Sequence, residues 1–194
     1  MQPKISVGGW DWAGPQFQNG FYPPDLPEDW QLPFYANEYA QVLLPQERWL
    51  AAARDDWQEW QSEVSHQFAF YLQLVRPEDV DAEALARAQA ILGPQLAGLV
   101  QCAGEPVLAG SGLPVWSIDA PEASQRLWTA GSGALSCGPV GLLKQADFSD
   151  LRALRAQIEA FAGACESDQA VLFMDAPPAA LDQAEAILSL LGFA

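Results

Sequence analysis

The chain has 194 residues, of which half are apolar, and 25 acidic against 9 basic side chains give a formal net charge of −16 at pH 7. This length suits a single domain over 1–194 with a sizeable core, and the apolar content excludes a disordered chain. A strongly negative surface repels phosphate backbones, so we expect no nucleic-acid partner. The charge either keeps the protein soluble or meets a basic partner.

The few cysteines and the single histidine argue against metal chemistry. Cys102, Cys137 and Cys165 are odd in number and lack a C-x-x-C spacing, which favours buried thiols in a reduced cytoplasm. With His66 as the only histidine, we expect no zinc site, and we expect no cofactor. The start of the chain lacks a leader pattern, and no apolar run reaches the about 20 residues needed to cross a bilayer, so no membrane partner is expected.

Strand and helix patterns alternate along the first half of the chain. A first strand runs into a loop, 8–24, that is rich in glycine, proline and aromatic residues; we expect it to be ordered because its aromatic rings bury one another. In chain order, the predicted elements are a strand over 4–10, a helix over 27–37 interrupted at Pro33, a strand over 40–44, a helix over 46–62, a strand over 67–75, a helix over 81–92 capped by Asp81, and a strand over 96–102.

The alternation continues in the second half, after a loop over 103–112. The predicted elements there are a strand over 115–118, a helix over 121–129, a glycine- and serine-rich segment over 130–138 with room for one short strand, a strand over 140–145, a helix from a Ser149 cap to Phe161, a strand over 170–174, and a helix over 179–191.

This alternation predicts an α/β fold with seven or eight mostly parallel strands, six helices and right-handed crossovers. A complete (β/α) barrel usually needs about 250 residues, so the chain fits a reduced or partly open TIM-like barrel. A doubly wound open sheet is the alternative. Neither a G-x-G-x-x-G motif nor a P-loop is present.

Several short motifs occur in the order found in one family of barrel proteins. A GGW turn at 8–10 follows the first strand, a GFYP segment stands at 20–23, and an acidic-to-aromatic helix covers 30–39. This resembles the start of the DUF72 (YecE-like) family of uncharacterised barrel proteins. The similarity continues at 68–70, 99–101 and 171–175. The resemblance covers nearly the whole chain and implies a TIM-barrel-like fold.

The polar residues that the family pattern leads one to expect are mostly absent. The family's V-E-I-N-like second strand corresponds to VLLP at 42–45, and its third strand ends in a lysine where Gln73 or the leucine before it stands. Its R-H-x-S-W and R-x-H-G motifs find no match near 116–121 and 142–146, and a helix is missing after Gln101. The resemblance therefore implies a shortened, divergent member that keeps the scaffold and has lost most of the polar constellation.

Barrel proteins place their ligand groups at the carboxyl ends of the strands and in the loops that follow. On the strand assignment above, Gln73 and Arg76 lie near the end of the third strand. The candidate ligand-binding residues are Trp10, Asp11, Trp12, Tyr22, Gln101, Asp119, Lys144 and Asp175. We expect a pocket at this end lined by Trp10, Trp12, Gln101, Lys144 and Asp175, whereas His66 precedes a strand and lies at the opposite face.

Each candidate has a structural alternative. Asp119 and Asp175 either form a carboxylate pair for acid–base chemistry or cap the helices behind them. Lys144 either binds an anion or forms a Schiff base, or it is a surface lysine with a buried stem. Trp10 and Trp12 either stack on a flat ligand, such as a sugar or an aromatic ring, or plug the top of the barrel.

Two functions follow from these alternatives. The loss of the polar constellation predicts a non-catalytic or weakly active module that binds a small molecule or a partner through an aromatic-lined pocket. The alternative is a hydrolase- or isomerase-like enzyme that acts on a small metabolite or sugar through Asp119, Lys144 and Asp175. Because the missing helix leaves apolar sheet uncovered, either the loop over 103–112 or a second copy covers it, and we predict a homodimer.

Overall fold

The fold is built on one sheet of eight parallel strands. The computed structural model describes residues 2–18, 20–103, 111–133, 135–144 and 148–194. The strands are β1 Lys4–Trp10, β2 Gln41–Leu44, β3 Ala69–Leu74, β4 Leu96–Gln101, β5 Val115–Ser117, β6 Trp128–Thr129, β7 Val140–Lys144 and β8 Gln169–Asp175.

The strand order identifies a barrel. The sheet runs β5-β4-β3-β2-β1-β8-β7-β6, so consecutive strands are neighbours and β1 lies beside β8. The two edges, β5 and β6, meet at a single isolated bridge between Ser117 and Arg126, where the Leu127 amide donates to the Ser117 carbonyl at 2.9 Å. This order confirms the partly open TIM-like barrel and excludes the doubly wound sheet.

Helices cover only part of the barrel. The α-helices in the described residues are α1 Pro15–Gln18, α2 Gln31–Glu38, α3 Gln46–Ala51, α4 Arg54–Glu63, α5 Ala82–Leu92, α6 Leu151–Ala164 and α7 Pro178–Leu191. Between β4 and β7, the only helical structure in the described segments is a 3₁₀ turn, Ala123–Gln125. One side of the barrel is therefore poor in helix.

None of the described helices is long and apolar enough to cross a membrane.

The helix predicted over 46–62 is wrong as a single element. Ala52 and Ala53 adopt extended backbone conformations that separate α3 from α4. The Asp56 carboxylate accepts the Ala53 amide at 2.7 Å and so starts a new helix within the predicted one. The break leaves Trp49 free to donate from its indole to the Gln73 carbonyl at 2.8 Å.

The helix predicted over 121–129 is also wrong, because its end is β6. Leu127 faces the barrel interior, whereas Trp128 packs 5.3 Å from the Phe161 ring of α6, which is the alternation of a strand. The Arg126 guanidinium ties the preceding turn together by donating to the carbonyls of Ala120, Pro121 and Ser136, at 3.2, 2.8 and 2.7 Å. Tertiary packing overrides the local helix signal here.

The other predicted elements need smaller corrections. Asp150, not Ser149, caps α6 by accepting the amides of Arg152 and Ala153, and α6 continues to Ala164. Pro33 does not interrupt α2, because it lies in the first turn, where its missing N–H has no helical partner. The Asp81 cap is confirmed. The segment 130–138 holds an isolated bridge residue and no strand among its described residues, and 104–110 and 145–147 lie outside the described residues.

Aromatic rings fill the barrel interior. The interior cluster takes residues from the strands and the positions beside their ends, and none from the helices: Leu43, Val100, Trp116, Leu127, Val140, Leu142, Val171 and Phe173, with Trp10, Tyr71 and Cys102 at its margin. The Tyr71 ring lies 4.9 Å from Phe173 and 5.8 Å from Trp116. A Cβ at Gly8 would lie 2.7 Å from the Phe173 ring, and a Cβ at Gly98 would lie 2.6 Å from Trp116, so these two glycines provide the space that the rings occupy.

The opening loop is packed as expected. Trp12 is 2% exposed and Trp10 is partly buried. Tyr35 fixes the end of β1, because its hydroxyl accepts the Gly9 amide at 2.7 Å and donates to the Gln41 carbonyl at 2.9 Å. Burial raises the pKa of Tyr35 well above its usual value, so the hydroxyl keeps the proton that it donates. The rings around it include Phe17, Phe21, Tyr22, Phe34 and Tyr39.

Tyr35→Phe should lower the free energy of unfolding by about 1–3 kcal/mol, because it leaves the Gly9 amide and the Gln41 carbonyl buried without their partner. Chemical denaturation measures the change. Tyr71→Phe is the control, since the Tyr71 hydroxyl holds no backbone group in the described part of the chain, and we expect it to change stability by less than about 0.5 kcal/mol. Equal losses in both variants would contradict the role given to Tyr35.

Candidate functional site

A cavity of about 630 Å³ opens at the carboxyl ends of the strands. Its lining comes from two sources. The barrel contributes Trp10, Gln73, Cys102, Ile118, Leu142, Lys144 and Asp175. The segments after β2 and β3 contribute Pro45, Gln46, Glu47, Leu50, Val75, Arg76 and Asp79. We call this cavity the mouth.

Strand alternation explains which side chains reach the mouth. Side chains two residues apart on a strand share a face, so the residue two positions beyond an interior residue also faces inward. Asp175 follows interior Phe173 in this way, and Lys144 follows interior Leu142. The same spacing of two residues brings Gln73, Cys102 and Ile118 into the mouth, because they follow Tyr71, Val100 and Trp116 respectively.

Three of these side chains form the centre of the mouth. Lys144 and Asp175 are register partners on β7 and β8, and the Lys144 Nζ lies 3.4 Å from the Asp175 Oδ2. The same ammonium lies 5.0 Å from the centre of the Trp10 ring. Because the Lys144 side chain is 68% exposed, the pair adds little stability. Its effect is to hold a cation, an anion and an aromatic ring together where a ligand can reach them.

Neutral polar groups form one wall of the mouth. The Gln73 amide donates to the Cys102 sulfur at 3.6 Å. Burial raises the pKa of the Cys102 thiol, against the smaller opposing effects of Gln73 and Lys144, so this sulfur is not an activated nucleophile. The Gln46 side chain accepts the amides of Val75 and Arg76 at 2.6 and 2.8 Å and donates to the Arg76 carbonyl at 2.8 Å, which fixes the exit of β3.

The turn after β1 is held by an ion pair and a ring stack. Asp11 has a φ of 60°, in the left-handed region that few residues other than glycine adopt. Its Oδ1 lies 3.0 Å from the Arg48 Nη1 and accepts the Ala13 amide at 3.1 Å. The guanidinium in turn lies 4.3 Å from the Trp12 ring, which contacts Trp60 edge-on at 5.0 Å. Trp12 is therefore packed between the barrel and helices α3 and α4, outside the interior cluster, so it neither plugs the barrel nor offers a free face to a ligand.

The structure brings together only some of the predicted site residues. Trp10, Lys144 and Asp175 share the mouth, whereas Trp12 and Gln101 do not line it, so the pocket predicted from five residues is wrong for those two. The buried Gln101 side chain donates to the Ala103 carbonyl at 3.0 Å. Gln101 is adjacent to Cys102, so its side chain points to the opposite face of the sheet. Tyr22 lies outside as well, where its hydroxyl donates to the Trp12 carbonyl at 2.6 Å.

The predicted carboxylate pair is not assembled in the mouth. Asp119 is exposed and lies outside it, and Ile118 takes the inward position. The helix that Asp119 was expected to cap is absent, and Pro177, rather than Asp175, occupies the N-cap position of α7. His66 is exposed and precedes β3, at the opposite end of the barrel from the mouth.

Sequence reasoning missed Cys102, Ile118 and Gln46. A count in twos from the apolar interior positions would have found the first two, since they follow Val100 and Trp116 on the same strand face. No sequence pattern indicates the role of Gln46, because that role depends on the position of α3 beside the end of β3.

Arg48→Met should lower the free energy of unfolding by about 1–3 kcal/mol, because it removes the ring contact with Trp12 and leaves Asp11 without its cation. Thermal and chemical denaturation measure the loss. Arg155→Met is the matched control: Arg155 pairs with Glu159 on the exposed face of α6, and its loss should cost less than about 0.5 kcal/mol. A neutral Arg48→Met would show that the turn does not depend on this pair.

Comparisons with known proteins agree on the fold. No family model matches the chain, and no curated protein matches it. Solved structures do. A DUF72 family protein from Thermotoga maritima matches with a TM-score of 0.63 at 10% identity, over 95% of this chain and 99% of that one. A DUF72 family protein from Enterococcus faecalis matches in two crystal structures, with TM-scores of 0.60 and 0.57 at 10% identity, over 95% and 99% of this chain and 95% and 98% of those chains.

The chain therefore has the fold of DUF72 family proteins, which is the fold that its sequence resemblance implies.

Proposed function

We propose that this chain is a divergent DUF72-type barrel protein that binds a small molecule in the mouth, between Trp10 and the Lys144–Asp175 pair. One observation carries the proposal: the ends of β1, β7 and β8 bring an aromatic ring, an ammonium and a carboxylate into one cavity of about 630 Å³. Small-molecule sites are typically cavities of about 300–1,000 Å³ that combine an apolar wall with a few convergent polar groups.

The chemistry of the mouth favours a flat ring that carries polar groups, such as a sugar or a heteroaromatic compound. The partly exposed Trp10 ring offers a stacking face. Lys144 donates hydrogen bonds and attracts a carboxylate or phosphate, and Asp175 accepts hydrogen bonds from hydroxyl or amine groups. Leu50, Ile118 and the other apolar lining residues exclude water from the sides of such a ring.

The same geometry supports binding more than catalysis. The enzyme alternative needs Asp119 beside Lys144 and Asp175, and Asp119 lies outside the mouth. The thiol of Cys102 is held protonated by burial and hydrogen-bonded to Gln73. The carboxylate pair that the enzyme alternative needs is therefore not formed, and the ion pair of Lys144 with Asp175 is placed to orient and neutralise a ligand. The homodimer across the helix-poor side remains a prediction.

A thermal-shift screen against sugars, sugar acids and aromatic carboxylic acids tests the proposal. Compounds that raise the unfolding temperature of the wild type should bind Trp10→Ala and Lys144→Met at least about tenfold more weakly in calorimetry, because each variant removes a contact worth about 1.4 kcal/mol or more. Trp30→Ala is the control, since Trp30 is 62% exposed and lies outside the mouth.

Two results would contradict the proposal. One is a set of ligands whose affinity is unchanged in both mouth variants. The other is the absence of any stabilising compound across the library. Turnover of a bound compound, followed by NMR over hours, would favour the enzyme alternative instead.

A further inference from the structure

Two cysteines are paired where the segment before β7 meets the end of α6. Cys137 and Cys165 are partners in an isolated parallel bridge, between the segment before β7 and the end of α6. The Cys137 amide donates to the Ala164 carbonyl at 2.9 Å, and the Glu166 amide donates to the Cys137 carbonyl at 3.1 Å. Paired strands lie about 4.8 Å apart, and disulfides join residues whose Cα atoms are about 4.4–6.8 Å apart. A bridge pairing of this kind brings two Cα atoms within the separation that a disulfide spans.

The two thiols also differ in access. The Cys165 sulfur lies 3.6 Å from the Gly138 carbonyl and 3.7 Å from the Ser167 carbonyl. Cys137 is 1% exposed, whereas Cys165 is partly exposed. A reagent in solution can therefore reach Cys165, and the buried Cys137 is its bridge partner.

We propose that Cys137 and Cys165 form a reactive dithiol that closes to a disulfide when it meets a soluble low-molecular-weight disulfide. The Cys165 thiolate attacks one sulfur of the reagent, which breaks the reagent's S–S bond and releases one thiol. Cys137 then loses its proton and attacks the Cys165 sulfur, which releases the second thiol. The protein gives up two electrons and two protons, and the reagent is reduced to two thiols.

The electrostatics of the pair assign these roles. The neighbouring Cys137 thiol lowers the pKa of Cys165, against the opposing effects of burial and Glu166, which favours Cys165 as the attacking sulfur. The same contact raises the pKa of Cys137, which stays protonated while Cys165 carries the charge. Cys102 differs from both, because burial raises its pKa and it lies in the mouth.

Mass spectrometry of the wild-type protein with oxidised glutathione at pH 7.5 tests the proposal. We expect the loss of two hydrogen atoms, one remaining alkylatable thiol, and a peptide map that links Cys137 to Cys165. The oxidised protein should unfold at a temperature higher by roughly 5–10 °C, because the bond closes residues 137–165 into a loop and restricts the unfolded chain. Cys102→Ala is the matched control and should react as the wild type does.

Cys137→Ala distinguishes the two steps. It should stop at a single glutathione adduct on Cys165, because the thiol that resolves the adduct is gone. Three results for the wild type would overturn the proposal: three alkylatable thiols after prolonged incubation, a stable adduct on Cys165, or a disulfide that involves Cys102. A lower unfolding temperature in the oxidised form would overturn the claim that the backbone already fits the bond.

Discussion

The contact between β5 and β6 is the constraint on which the mouth depends. These strands are the two edges of the sheet, and within the described residues the backbone joins them through the Ser117–Arg126 bridge and the amide of Leu127. Helices usually cover the faces of a parallel sheet, and the described segments on this side contain no α-helix. The Arg126 guanidinium donates hydrogen bonds to three carbonyls of the adjoining loops and so holds these loops together beside β6. Because the edges meet, the ends of β3, β4 and β5 line the same mouth as the ends of β1, β7 and β8.

The packed interior then determines where a ligand can enter. Phe173, Tyr71 and Trp116 fill the barrel below the mouth, and Gly8 and Gly98 leave room for those rings. With the interior full, the inward-facing residues at the carboxyl ends of the strands are the ones that meet solvent. A barrel with few covering helices can therefore keep an open cavity at the carboxyl ends of its strands, because that cavity needs only the strand ends and a filled interior below them.

The alternation of strands and helices predicted a parallel sheet, and the resemblance to the DUF72 family favoured the barrel over the doubly wound arrangement. The predicted strand ends placed Trp10, Lys144 and Asp175 at the mouth, where the structure has them. Sequence reasoning failed for Gln101 and Asp119, which are one position away from the inward-facing residues. A shift of one residue turns a side chain to the other face, and sequence alone does not fix the last residue of a strand so finely. The helix predicted over 121–129 failed for a different reason, since packing against α6 decides its conformation and no local pattern reports that contact.

A crystal structure of the protein with the compound that stabilises it most tests the central claim most directly. The account predicts electron density for that compound in the mouth, stacked on the Trp10 ring and within hydrogen-bonding distance of Lys144 or Asp175. Density at another surface, with the mouth holding only water, would contradict it.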